Sequence, residues 1–190
     1  MRLFIAVKVP KPIIVQISEF QKSISVEWQG IKRLDLKWVE PENMHLTLKF
    51  LGETPDKIVD KICTIVGDSI QGIKPFNISF SSLGGFPNLM KPRVLWIGVE
   101  EGREKIVELI QRLNEKLSKI GFEPETREST PHLTIGRIKR VERNIDSGLK
   151  LRVKGFKSPV FLADKIYLIK SELTSAGPIY TDIKEFSLLQ

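Results

Sequence analysis

Met44-His45-Leu46-Thr47-Leu48-Lys49-Phe50-Leu51 alternates between apolar and polar residues. That period of two is the mark of a strand with one buried face. By strict alternation Met44, Leu46, Leu48 and Phe50 share one face, and His45, Thr47 and Lys49 the other. The same reading starts again 87 positions later, at His132-Leu133-Thr134-Ile135, and these are the chain's two histidines. A His and a Thr two apart on a strand point the same way.

The elements around each strand also recur. Leu3–Val9 reads as a strand, and Pro12 opens a helix to about Glu27 with Ile13, Ile17, Phe20 and Ile24 on one side. A short strand near 36–39 precedes Met44–Leu51. Thr54-Pro55 then caps a helix to about Ile70, Phe76–Leu83 is a strand, and Gly84–Asn88 a loop by its turn residues. The order restarts with a strand at Val94–Val99 and a helix from Gly102 to Lys119. A polar stretch leads into His132–Ile138. A short helix at 142–149 follows, then strands near 151–161, 165–171 and 179–188. This is the pattern of a single domain built by internal duplication, with halves of about 1–91 and 92–190. Strands that follow one another without alternating helices predict an α+β fold. We expect two pseudo-symmetric lobes with mostly antiparallel sheets, outer helices and a central cleft. In that arrangement the two His-Leu-Thr strands become symmetry mates across the cleft.

Bulk properties narrow the partners. A chain of 190 residues, 41% hydrophobic with a mean hydropathy of −0.09, suits a globular protein with one sizeable core. No apolar run approaches the ~20 residues of a membrane helix. The start alternates and is cut by Pro10 and Pro12, so it reads as a strand rather than a signal peptide, and a cytoplasmic location is expected. Cys63 is the sole cysteine, which excludes an internal disulfide. Neither His-Leu-Thr strand supplies carboxylates for a zinc site, so no metal or cofactor is expected. A net charge of +7 and a pI near 9.5 favour an anionic partner, RNA or DNA foremost, against the plainer alternative of a solvated Lys/Glu surface.

Two imidazoles titrating near pH ~6.5 can divide the labour of acid and base near neutrality. One takes a proton from an attacking hydroxyl or water, and the other gives one to a departing oxygen. The hydroxyls of Thr47 and Thr134 can donate to phosphoryl oxygens. A phosphodiester suits this set best, since its attacking and leaving atoms are both oxygens on one phosphorus.

The ordered motifs resemble those of the 2H phosphoesterases, and within them the bacterial and archaeal RNA 2′,3′-cyclic phosphodiesterases, also called 2′-5′ RNA ligases. The similarity runs through Met1–Val7, Trp38–Glu53, Leu83–Pro87, Pro92–Trp96, Pro131–Arg137 and Lys170–Leu173. It implies metal-free opening of a ribose 2′,3′-cyclic phosphate to the 2′-phosphomonoester, and reversible ATP-independent 2′-5′ joining of RNA ends. By matching position it makes His45 the general acid and His132 the general base. It gives the phosphate to Thr47, Thr134 and Arg137. It implies action on RNA ends that carry a cyclic phosphate, tRNA fragments among them. Nothing in the sequence argues for an oligomer, so a monomer is expected. Arg137 falls on the wrong face by strict alternation, unless a bulge near Gly136 turns it back. Lys49 shares the His45 face and is a candidate for the cleft. Phe86 is read as core or loop packing, with stacking on a base as the alternative. Arg93, Lys139 and Arg140 are read as solvated charge, and Tyr180 and Trp38 as packing. Two rivals remain open: an RNA- or nucleotide-binding module with little catalysis, and a phosphodiesterase for a small cyclic nucleotide.

Overall fold

The computed structural model describes residues 1–29, 34–124, 130–140, 155–175 and 177–188. Three helices and ten strands occupy them: β1 (Arg2–Lys8), α1 (Lys11–Glu27), β2 (Asp35–Trp38), β3 (His45–Glu53), α2 (Val59–Ile70), β4 (Phe76–Ile78), β5 (Phe80–Phe86), β6 (Val94–Val99), α3 (Arg103–Ser118), β7 (His132–Arg140), β8 (Phe161–Ala163), β9 (Lys165–Leu173) and β10 (Pro178–Ser187). The fold is α+β and every pairing is antiparallel. One four-stranded sheet has the order β10-β9-β1-β3, the other β2-β7-β6-β5, and β4-β8 form a small third sheet. The helix expected at 142–149 lies outside the described residues, as does the start of the strand expected near 151–161.

The helices form where apolar spacing demanded. Ile13, Ile17, Phe20 and Ile24 of α1 are buried, as are Ile106, Leu109, Ile110, Leu113 and Leu117 of α3. Several boundaries differ from the sequence reading. The strand expected at Phe76–Leu83 is split between β4 and β5, which lie in different sheets, and 155–160 hold only a bridge at Lys157 before β8. The segment after Pro55 begins as a 3-10 turn, Asp56–Ile58, before α2. Gly84–Phe86 is not loop but the end of β5, because Gly84 and Gly85 pair with Trp96 and Leu95 of β6. Glycine is required at 84: a Cβ there would lie 2.1 Å from the Trp96 indole, which rests flat on this backbone.

The sheets do not coincide with the sequence halves. β1 and β3 share their sheet with β9 and β10, while β2 and β5 share theirs with β6 and β7. The helices cross over too. Gln21 of α1 reaches the β7 backbone, and Lys49 of β3 donates to the Glu123 carbonyl just beyond α3. One apolar core runs through both sheets, from Leu3, Ile5, Leu46 and Leu48 to Leu95, Ile97, Leu133 and Ile135.

Candidate active site

β3 and β7 are built alike. Their first seven residues follow the same burial order: His and Thr half-buried, the residue after each buried, then one more buried, one exposed and one buried. The order breaks strict alternation because each strand carries a bulge. Ile5 faces Lys49 but Ala6 faces Thr47, which leaves Leu48 unpaired. Likewise Leu95 faces Gly136 but Trp96 faces Thr134, which leaves Ile135 unpaired. An extra residue shifts the phase by one. Arg137 therefore returns to the face of His132 and Thr134, as the bulge reading required. The bulge falls one residue earlier than Gly136, and the buried amide of Gln21 helps to hold it. Gln21 Nε2 donates to the Ile135 carbonyl at 2.9 Å and to the Val39 carbonyl at 2.9 Å.

The same shift corrects two expectations on β3. Lys49 turns away from His45; it is 4% exposed and its Nζ bonds the Glu123 carbonyl at 2.8 Å. Phe50 leaves the core face and stands 61% exposed, at the place on β3 that Arg137 holds on β7. A cavity of about 250 Å³ gathers His45, Thr47 and Phe50 with Thr134 and Arg137. Its other walls include Lys37, Trp38 and Glu40 from the β2 side, and Pro178 and Tyr180 of β10. His132 stands beyond Thr134 on the same face of β7 but not in the lining of this cavity. Arg93, Lys139 and Arg140 also stay outside it.

Each imidazole sits between two aromatic rings. His45 stacks on Phe4 at 4.6 Å and meets the edge of Tyr180 at 5.2 Å. His132 contacts Phe86 edge-on at 5.0 Å and Trp96 at 5.7 Å. Tyr180 and Phe86 thus pack, but against the histidines rather than the main core, and Trp38 lines the cavity while its Nε1 donates to Ser25 Oγ. Each histidine also bonds the backbone two residues back. His132 Nδ1 donates to the Thr130 carbonyl at 2.7 Å. The Asn43 backbone bonds His45 and favours its protonated form, so the partner there is the carbonyl oxygen. A carbonyl only accepts, so in His132 Nδ1 keeps its proton and Nε2 is the atom that can exchange one.

Burial, with the Arg137 charge adding to it, lowers the His45 pKa to about 4 despite the Asn43 bond. Burial likewise pushes the Tyr180 phenol up, against the pull of Arg137. For His45 this has a consequence in stability. The unfolded chain takes its proton near pH ~6.5 and the folded one near 4, so stability falls as pH drops between those values. The shift is worth about 3 kcal/mol at full extent. Denaturant unfolding at about pH 7 and pH 4 should therefore show His45→Gln losing less stability than the unmutated chain, by roughly that amount. Equal losses in the two proteins would contradict the burial of a neutral imidazole.

Among the described residues, no three His, Cys, Asp or Glu side chains gather as a metal ion would require. No described helix is long and apolar enough to cross a membrane.

Two lobes with a histidine–threonine strand from each, and a single arginine beside them, define a two-histidine phosphoesterase. Comparison with known proteins gives the class its family. The model for "LigT like Phosphoesterase" matches residues 7–96 and again 97–180, and the chain belongs to that family. It is 39% identical over 98% of its length to the whole of the RNA 2′,3′-cyclic phosphodiesterase of Methanocaldococcus jannaschii. It is 38% identical, over 98% of each chain, to the enzyme of the same name from Methanothermobacter thermautotrophicus. Among solved structures, TT0787 of Thermus thermophilus superposes with a TM-score of 0.81 at 27% identity, covering 99% of this chain and 98% of its own.

Proposed function

We propose that this chain is a metal-independent RNA 2′,3′-cyclic phosphodiesterase. The observation that carries the reading is the matched pair of bulged strands, which present His45 with Thr47 and His132 with Thr134 beside Arg137. The names of its relatives point the same way. Arg137 and the two hydroxyls hold the phosphate oxygens and stabilise the charge that builds there. His132 Nε2 takes a proton from water, the water oxygen bonds to phosphorus, and the bond to the 3′ oxygen breaks. His45 gives that oxygen a proton, and the product is the 2′-phosphomonoester. Run with a ribose hydroxyl in place of water, the same steps join RNA ends through a 2′-5′ bond, and acid and base exchange roles when that bond is cleaved again. We place the reaction on RNA ends in the cytoplasm, tRNA fragments among them, with the chain as a monomer. We also read residues 1–91 and 92–190 as duplicated halves, which the repeated bulge and burial order support.

One observation favours a second assignment of the same site. A ring whose pKa lies near 4 is neutral at pH 7, ready to accept a proton rather than to give one. With His45 as base and His132 as acid the steps are unchanged but run from the opposite side of the phosphorus. In the first assignment the negative charge of the bound phosphate must favour protonated His45 against burial and the Arg137 charge.

The test is hydrolysis of a nucleoside 2′,3′-cyclic phosphate with EDTA present, over about pH 5 to 9, with the 2′- and 3′-phosphate products resolved. We expect turnover that EDTA does not touch, and the 2′ product. Turnover that EDTA abolishes would overturn the metal-free mechanism. Tight binding without turnover would leave a nucleotide-binding module.

A further inference from the structure

We propose that Lys37 holds a second phosphate, one nucleotide upstream of the reacting one. The site would then be built for the end of an RNA chain rather than for a mononucleotide. This rests on the cyclic-phosphodiesterase reading above.

β2 lies beside β7, and Lys37 pairs directly with Arg137 in the register. Such cross-strand neighbours have their Cβ atoms roughly 5 Å apart, and like charges placed so destabilise a sheet. The adjoining register shows the usual solution, since Asp35 stands opposite Arg140. At Lys37 and Arg137 the chain places two cations instead, and both line the cavity that holds His45 and Thr47. Among the described residues neither forms an ion pair within 4.0 Å, although Glu40 lies on the same cavity. Some exposed lysines elsewhere are paired, Lys165 with Glu185 and Lys105 with Glu108, and others such as Lys61 are not. What sets Lys37 apart is that it faces a second cation inside the cavity.

A pair of facing cations is stable with anions between or beside them. A cyclic phosphate carries one negative charge, and Arg137 with the two threonine hydroxyls already answers it. Lys37 is then in surplus for a mononucleotide. In a chain, the terminal nucleotide brings a second phosphate on its 5′ oxygen, one ribose away. A long, unpaired lysine stem next to Arg137 can reach over that separation. As a compact cation on a flexible stem, lysine suits a phosphate that needs holding but not orienting, whereas the planar fork of arginine suits the reacting one.

The experiment compares adenosine 2′,3′-cyclic phosphate with the same compound carrying a 5′-phosphate. The proteins are the unmutated chain, Lys37→Ala, and Lys61→Ala as a control for one lost charge on the exposed side of α2. We expect the 5′-phosphate to raise kcat/KM by about three- to tenfold in the unmutated chain and in Lys61→Ala. In Lys37→Ala that ratio should fall to about one. The log–log salt dependence should be steeper for the 5′-phosphorylated compound by about 0.7, and that excess should vanish with Lys37. A ratio near one in the unmutated chain, or a ratio that survives Lys37→Ala, would overturn the inference. So would an equal loss on both compounds, which would put Lys37 on the reacting phosphate. Turnover of neither compound by the unmutated chain would instead overturn the cyclic-phosphodiesterase reading, and this inference with it.

Discussion

Replacing either His45 or His132 by alanine is expected to slow hydrolysis of a cyclic phosphate by about 10²–10⁴-fold. The double replacement should cost little more than the worse single one, because an acid and a base that act on one transition state fail as a unit. The measurement that makes this decisive uses a leaving group needing no proton. A phosphodiester that expels p-nitrophenolate should restore much of the rate to the variant lacking the acid and none to the variant lacking the base. Rescue of His45→Ala would assign the acid to His45, protonated from solvent under the influence of the bound phosphate's charge. Rescue of His132→Ala would assign it to His132, in line with the low pKa of His45 in the free protein. Near-normal rates in both variants would end the paired-histidine mechanism. Thermal melts must accompany the assay, since His45 stacks on Phe4 and its removal leaves a gap.

Arg137→Ala is expected to cost about 10²–10³-fold in kcat/KM, the scale for losing a donor to developing charge in a partly dry site. A second readout separates this role from a structural one. Arg137 lowers the His45 pKa through its charge, so removing it should raise that pKa from about 4. Histidine NMR titration would record the move, and Arg137→Lys should keep most of the pKa while losing much of the rate, having the charge without the fork. An unchanged rate in Arg137→Ala would remove the arginine from the phosphate. An unchanged His45 titration would remove it from the histidine.

The sequence made the strands bearing the histidines and threonines legible because their alternation is short-range and one face is apolar. It placed the helices from their spacing as well. What it hid was set by contacts made elsewhere. Lys49 and Phe50 were assigned to each other's faces because a bulge leaves no residue signature on β3, whose sequence there is Leu48-Lys49 with no glycine. On β7 the glycine at 136 gave the hint, one residue late. Gln21 and Phe4 carry no periodic or motif signal toward the site. The first is buried polar on a helix 114 residues from its Ile135 partner, and the second reads as core. Lys37 falls in the short strand expected near 36–39, with nothing in the sequence to single it out. Its meaning comes from the register that sets it against Arg137.

The exchange of strands between the halves has a mechanical consequence. In chain order β1 lies in one main sheet, β2 in the other, β3 in the first again, β5 to β7 in the second and β9 with β10 in the first. The polypeptide therefore passes between the sheets four times. A jaw that swings on one or two linkers can gape for substrate and shut over it. Among the described residues, a frame laced across four times around a shared apolar core resists such a swing. The spacing of the two histidine–threonine strands is then fixed during folding rather than assembled at each turnover. Substrate enters a vice already set to its working gap.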